Sequence, residues 1–190
     1  MDSLRNLKRN NNLNKKKGNN LVKERNIILQ KEWSEINLEE FPEIKITFNN
    51  PSNLGEFIVS VTPKDGYWKD AKFDLQVNIP EGYPIDPPKV NSITTPIYHT
   101  NINFEGNVCM SILKEGWNPT FGLTGILIGI MDLFISPNPY DPLPNRGCLS
   151  DTKEAAFILL NNPQQFEKLV RKTLSGGYVS ELEREFPKLI

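Results

Sequence analysis

Cys109 lies in the run Asn107-Val108-Cys109-Met110-Ser111-Ile112-Leu113, with Asn101 eight residues before it and Trp117 eight residues after it. A cysteine among apolar neighbours is most often inert core. Here it is bracketed by His99-Thr100-Asn101 and Trp117-Asn118-Pro119, with Pro137-Asn138-Pro139-Tyr140-Asp141-Pro142-Leu143 beyond. The chemistry open to such a thiol is nucleophilic: a thiolate takes an acyl group and hands it on, splitting one hard transfer into two easier ones. His99, the only histidine, is the tempting general base of a cysteine hydrolase. A hydrolase also needs a separate orienting Asn or Asp and an oxyanion hole, and the order and spacing here do not suggest them. Two cysteines and one histidine cannot furnish four soft metal ligands, and no Cys-x-x-Cys pair exists, so no metal is expected. No glycine-rich phosphate loop is visible, so no nucleotide or other cofactor is expected either.

These residues need a rigid frame, and the composition allows one. The chain has 190 residues, 38% of them hydrophobic, and a mean hydropathy of −0.43. That suffices for one domain with a core plus some tail. The longest apolar run, Gly125 to Met131, stops at Asp132, short of the roughly 18 residues a membrane span requires. The N-terminus has no apolar stretch typical of a signal peptide. With only two cysteines there is no disulfide framework, and a reducing cytoplasmic or nuclear setting is expected. The net charge of −1 conceals an asymmetry: residues 1–25 hold eight Lys/Arg against two Asp/Glu, which leaves the rest at about −7. A basic arm on an acidic body suits an acidic partner. Without aromatic side chains to stack on bases, nucleic acid is not expected.

Residues 1–20, rich in Asn and Lys, cannot bury enough surface to fold alone. Leu4 and Leu7 stand one helical turn apart in this polar setting, as in a docking peptide, although chance leucines would look the same. Residues 21 to about 37 carry helical periodicity, with Val22, Leu29, Trp33 and Ile36 on one face and Lys23, Glu24, Lys31 and Glu32 elsewhere. Four strands are predicted, Glu43–Asn49, Phe57–Thr62, Lys72–Ile79 and Lys89–Ile93, and their short connections predict an antiparallel meander. Pro80 to Pro88 must leave the sheet, and residues 94–120 read as irregular. A helix capped by Thr124 should run through Phe134, followed by helices near Thr152–Asn161 and Pro163–Leu174, the last ended by Gly176-Gly177. The order is that of an α+β domain with helices segregated from one sheet.

Taken together, Gly82-Tyr83-Pro84-Ile85-Asp86-Pro87-Pro88, Tyr98-His99-Thr100-Asn101, Gly106-Asn107-Val108-Cys109, Trp117-Asn118-Pro119 and Pro137 to Leu143 resemble the ubiquitin-conjugating enzyme family over residues 21 to about 178. The resemblance implies the UBC fold: an N-terminal helix, a four-stranded antiparallel meander and C-terminal helices, forming a catalytic domain over 21–190 behind a basic docking extension over 1–20. It is closer to the branch that conjugates the ubiquitin-like modifier of neddylation. That likeness is carried by Leu4-Arg5-Asn6-Leu7-Lys8, by Asp65-Gly66-Tyr67-Trp68-Lys69 with the proline segment that follows, and by Phe166 to Tyr178.

What the resemblance implies is specific. Cys109 would accept the modifier as a thioester from an activating enzyme and pass it to a lysine, by implication of a cullin-like scaffold. Asn101 would donate to the developing oxyanion or brace its loop, Asp141 would orient the attacking lysine, and His99 would be a structural member of its motif. Pro84, Ile85 and Pro119 would face a RING-type ligase, with Trp117 as readily a core residue. Leu4 and Leu7, with residues up to 37, would meet the activating enzyme. A monomer without nucleic-acid or membrane partners is expected. The alternatives are a conjugating enzyme for ubiquitin itself and an inactive UBC-fold binding module, a class that generally lacks the cysteine retained here.

Two departures from the family pattern stand out. Thr100 occupies a position where proline is usual, and its freer backbone leads one to expect a less preorganised Asn101. Pro144 and Arg146 to Thr152, including Cys148, read as an extra loop before the next helix.

Overall fold

A computed structural model describes residues 20–140 and 150–190. Helix α1 covers residues 20–35, and the meander follows as β1 (Ile44–Thr47), β2 (Glu56–Val61), β3 (Phe73–Asn78) and β4 (Lys89–Ser92). All neighbours are antiparallel in the order β1-β2-β3-β4. After a long irregular segment come α2 (Gly122–Ile135), α3 (Ser150–Asn161) and α4 (Pro163–Leu174), then a small hairpin, β5 (Gly177–Val179) with β6 (Arg184–Phe186). The helices lie outside the sheet sequence, as in an α+β UBC fold. Among the described residues no helix is long and apolar enough to cross a membrane.

The strand register explains why the alternation was readable. Phe57 faces Val77, Val59 faces Leu75 and Val61 faces Phe73, while Ile46 extends the row from β1 opposite Val59 and Val90 from β4 opposite Val77. Side chains two apart share one face of a pleated strand, so this register gathers Phe57, Val59 and Val61 of β2 and Phe73, Leu75 and Val77 of β3 on one side, while Ile58 pairs with Gln76 on the other. Phe57, Val59, Val61, Phe73, Leu75 and Val77 are fully buried there, each worth about 1.5–3 kcal/mol relative to exposure. Leu29 closes the core from α1, with Trp33 and Ile36 packed at its margin. The outer edge of β1 pairs with no strand among the described residues.

Helix α2 begins three residues earlier than a cap at Thr124 would have it, and Thr124 lies inside it. Phe121 occupies the N-cap and offers no side-chain bond. The cap comes instead from α1: Glu32 Oε2 accepts from the backbone N–H of Leu123 at 2.9 Å and from the Tyr83 hydroxyl at 2.6 Å. A carboxylate at a helix N-terminus meets unpaired N–H groups and the positive end of the helix dipole. Burial, and then the Glu32 carboxylate, raise the Tyr83 phenol far above its ordinary pKa. Glu32, assigned by periodicity to the polar side of α1, is therefore a tie between α1, the proline segment and α2. Glu32→Ala should cost about 2 kcal/mol by leaving both donors without their acceptor, against about 1 kcal/mol for Tyr83→Phe; urea unfolding of the two variants checks the ratio.

Part of the segment read as an extra loop is helix. Ser150, Asp151 and Thr152 form the first turn of α3, Thr152 is buried, and Asp151 Oδ2 accepts from the Phe104 amide at 2.7 Å. The remainder, including Cys148, lies outside the described residues. The β5–β6 hairpin had no counterpart in the sequence reading. It buries Val179 and Phe186 and sets Arg184 over the Phe104 ring.

Candidate active site

The segment before Cys109 is a chain reversal. The Asn103 side chain accepts from the Asn107 amide at 2.8 Å, and the Gly106 amide donates to the Asn103 carbonyl at 2.9 Å. Gly106 has a φ of +87°, and a Cβ there would lie 2.2 Å from the Ser92 carbonyl oxygen, so the turn requires glycine. The reversal pairs Ile102 with Val108, and the Cys109 amide then donates to the Asn101 carbonyl at 2.8 Å. The eight-residue separation in sequence thus becomes direct contact in space.

His99 holds this reversal to the helices. Its Nδ1 accepts from the Asn101 amide at 2.8 Å, and its Nε2 lies 2.9 Å from the Leu133 carbonyl of α2. A carbonyl only accepts, so the proton sits on Nε2 and the neutral ring has both nitrogens engaged. The ring also stacks on buried Trp68, with centroids 4.2 Å apart. Burial drives its pKa down from 6.5 to about 3, partly offset by the bond to Leu133. A ring so committed does not serve as a general base at neutral pH, in keeping with a structural role and against a Cys-His hydrolase pair.

Asn101 is buried and tied to the proline-rich segment after α2. Its amide nitrogen donates to the Asn138 carbonyl, and its amide oxygen accepts from the Asn138 N–H, both at 3.0 Å. Thr100 adds a third bond, its hydroxyl donating to the same Asn101 oxygen at 2.7 Å. This reverses the expectation that threonine loosens Asn101, because the hydroxyl supplies a lock that proline could not. Thr100→Val keeps the shape and deletes that bond. It should cost about 1 kcal/mol and slow single-turnover discharge several-fold, whereas unchanged discharge would make the bond dispensable.

Cys109 and Asn101 line one open cavity of about 230 Å³, with Ser111, Gly129, Asp132 and Asn138. The sulfur is less accessible than a nucleophile was expected to be: Cys109 is only 3% exposed. Lys114 stands beside it, Nζ donating to Sγ at 3.0 Å. Neither Lys114 nor Asp132 stood out in the sequence. A basic residue one short turn after a candidate nucleophile was the available signal for the first. Asp132 carried none, since it read only as the end of an apolar run. Asp141, Leu4 and Leu7 lie outside the described residues, and Tyr140 is exposed.

The ligase-side candidates are brought together elsewhere. Pro84 and Pro119 line a groove of about 620 Å³ with α1 residues Ile28 and Lys31, and Ile85 is 79% exposed next to it. Trp117 is half-buried, and its indole N–H donates to the Pro84 carbonyl at 2.9 Å. It clamps the two loops together, a role between the two considered for it.

A family model described as ubiquitin-conjugating enzyme matches residues 28–174. The NEDD8-conjugating enzyme Ubc12 of Dictyostelium discoideum is 41% identical over 145 residues, 76% of this chain and 58% of that protein. The Nedd8-conjugating enzyme UbcE2M of Drosophila melanogaster is 40% identical over 134 residues, 70% of this chain and 69% of its own. The matched region thus spans under two thirds of the first relative's length and slightly more of the second's. The solved structure of S. cerevisiae Ubc12 superposes with a TM-score of 0.75 at 30% identity, covering 98% of each chain.

Proposed function

The chain belongs to the ubiquitin-conjugating enzyme family, and from that premise we propose that it conjugates the ubiquitin-like modifier of neddylation. The observation that carries the branch is the 41% and 40% identity to proteins named as NEDD8-conjugating enzymes. In the first step Cys109 Sγ attacks the thioester that joins the modifier's C-terminal glycine to the activating enzyme. A new C–S bond forms at Cys109, and the activating enzyme's thiolate leaves. In the second, a lysine amine of the target attacks the same carbon. The C–N bond forms, the C–S bond breaks, the amine sheds a proton and Cys109 is released. An activated thioester needs no strong base at the nucleophile, which suits a site whose one histidine is spoken for.

The remaining roles belong to this reading. Asn101 donates to the developing oxyanion or braces its loop, Asp141 orients the incoming lysine, and the target is a cullin-like scaffold. The groove at Pro84 and Pro119, with exposed Ile85 beside it, suits a RING-type ligase because apolar groups on proline-stiffened loops bind at low entropic cost. Residues 1–20, with Leu4 and Leu7, and α1 serve the activating enzyme.

Charging decides the matter. The purified chain is mixed with ATP and either the neddylation modifier and its activating enzyme or ubiquitin and its own. A thiol-sensitive band with the neddylation modifier alone supports the reading. A band with ubiquitin alone replaces the branch, and no band with either overturns the reading.

A further inference from the structure

A cavity of about 430 Å³ opens between the chain reversal, the first turn of α3 and the loop of the β5–β6 hairpin. It shares no residue with the cavity at Cys109. Five carboxylates border it: Glu105, Asp151, Glu154, Glu181 and Glu183. Two of them are committed, Asp151 to the Phe104 amide and Glu181 to Lys172 at 2.6 Å. Glu105, Glu154 and Glu183 form no ion pair among the described residues. The one base on the wall, Arg184, rests its guanidinium 4.5 Å from the centre of the Phe104 ring. Tyr98 belongs to the same wall. It is 1% exposed, and its hydroxyl has no hydrogen-bond partner among the described residues. Buried polar groups are nearly always paired, so this oxygen is an open acceptor beside unneutralised negative charge. Burial, and then the Glu154 carboxylate, raise the phenol above its ordinary pKa, which keeps the hydroxyl protonated next to that carboxylate. Among the described residues no three carboxylates gather closely enough to hold a metal ion. Negative charge spread round a cavity suits a planar cation with several N–H donors better than a point charge.

We propose that this cavity binds an arginine side chain of the target polypeptide, a few residues from the lysine that accepts the modifier. The proposal rests on the reading of Cys109 as the thioester carrier and adds a feature of the target that the enzyme selects. A guanidinium has five N–H donors, enough for the Glu105 and Glu154 carboxylates and the Tyr98 oxygen together. The location ties the cavity to the chemistry. Glu105 precedes Cys109 by four residues on the same reversal, so their Cα atoms are at most about 14 Å apart. An extended segment covers that distance in about four residues. A target whose lysine reaches the sulfur therefore lays an arginine of that spacing over the acidic wall. Binding there holds the segment and leaves the acyl transfer itself untouched, so the effect falls on the concentration of target required and not on the maximal rate.

The test uses the full chain and two fluorescent peptides, identical except for arginine or glutamine four residues to either side of a single lysine. Anisotropy titration of the uncharged chain comes first. Single-turnover discharge of the chain charged with the neddylation modifier follows, without ligase. The arginine peptide should bind about fivefold more tightly and half-saturate discharge at about fivefold lower concentration, with an equal maximal rate. The double variant Glu105→Gln, Glu154→Gln should erase the difference while charging and discharge to the glutamine peptide stay unchanged. Tyr98→Phe should shrink the preference without lowering the urea midpoint, because the hydroxyl has no partner to lose in the free chain. Equal binding of the two peptides overturns the proposal, as does a preference that survives in the double variant, or an effect on maximal rate with half-saturation unchanged. A preference that appears only after residues 1–19 are deleted also overturns it, by giving the cavity to the chain's own basic segment. Failure to charge overturns the functional reading alone, because the titration reads the cavity without a thioester.

Discussion

Cys109→Ala is expected to abolish the thiol-sensitive adduct while leaving the domain folded. The covalent route requires a thiol, and among the described residues no other group lining the cavity forms a thioester. The structural cost is small because the side chain borders an open cavity and is not sealed in a dry core; the change should lie near 1 kcal/mol, well under the 2–5 kcal/mol of a large core truncation. Thermal unfolding and a charging gel on the same preparation read the two quantities together. Cys109→Ser sharpens the test, since a hydroxyl at that site would carry the modifier as an oxyester that resists thiol but not alkali. A thiol-sensitive band surviving in the alanine variant would move the nucleophile to Cys148.

The second large effect concerns stability and pH. His99 is neutral and buried, with a pKa of about 3 in the folded chain against 6.5 when unfolded. Between those values the unfolded chain binds a proton that the native one does not, so stability falls as pH is lowered from 6.5 and is unaffected above it. At pH 4.5 the loss from this one group is about 2–3 kcal/mol. The exposed Glu181 carboxylate is held below its usual pKa chiefly by its hydrogen bond from Lys172, which also favours instability in acid, so the comparison must be between variants. His99→Gln removes the titration and should flatten the difference in urea midpoint between pH 7.5 and pH 4.5. His99→Ala should destabilise at every pH by about 3 kcal/mol or more, since the Leu133 carbonyl and Asn101 amide both lose partners and Trp68 loses its stacked neighbour. Discharge rates between pH 6 and 9 should show no step belonging to His99; a step there, lost in His99→Gln, would restore it as a base.

The elements read correctly from sequence were those whose signal is local. Phe57, Val59 and Val61, then Phe73, Leu75 and Val77, alternate because each strand has one dry face, and that face is written two residues at a time. Pro163 and Gly176-Gly177 bracket α4 for equally local reasons. What was missed depends on partners far along the chain. The cap of α2 is Glu32, 91 residues before the Leu123 amide it accepts from. The lock on Asn101 comes partly from Asn138, 37 residues on, and partly from a threonine hydroxyl whose direction only the fold reveals. The β5–β6 hairpin rests on strands of three residues each, too short for any periodicity to register. At the site, Cys109, Asn101 and His99 were legible through motif spacing, whereas Lys114 became visible only once the turn after Cys109 was seen to fold back onto the sulfur.

The outer edge of β1, unpaired among the described residues, bears on how copies of this chain behave at high concentration. An unpaired strand edge is a template on which a second sheet can grow. Here it is four residues long and alternates half-buried Ile44 and Ile46 with exposed Lys45 and Thr47. A lysine on an edge so short makes continuous stacking both electrostatically and geometrically poor. The sheet can therefore leave one border open without inviting fibrillar growth.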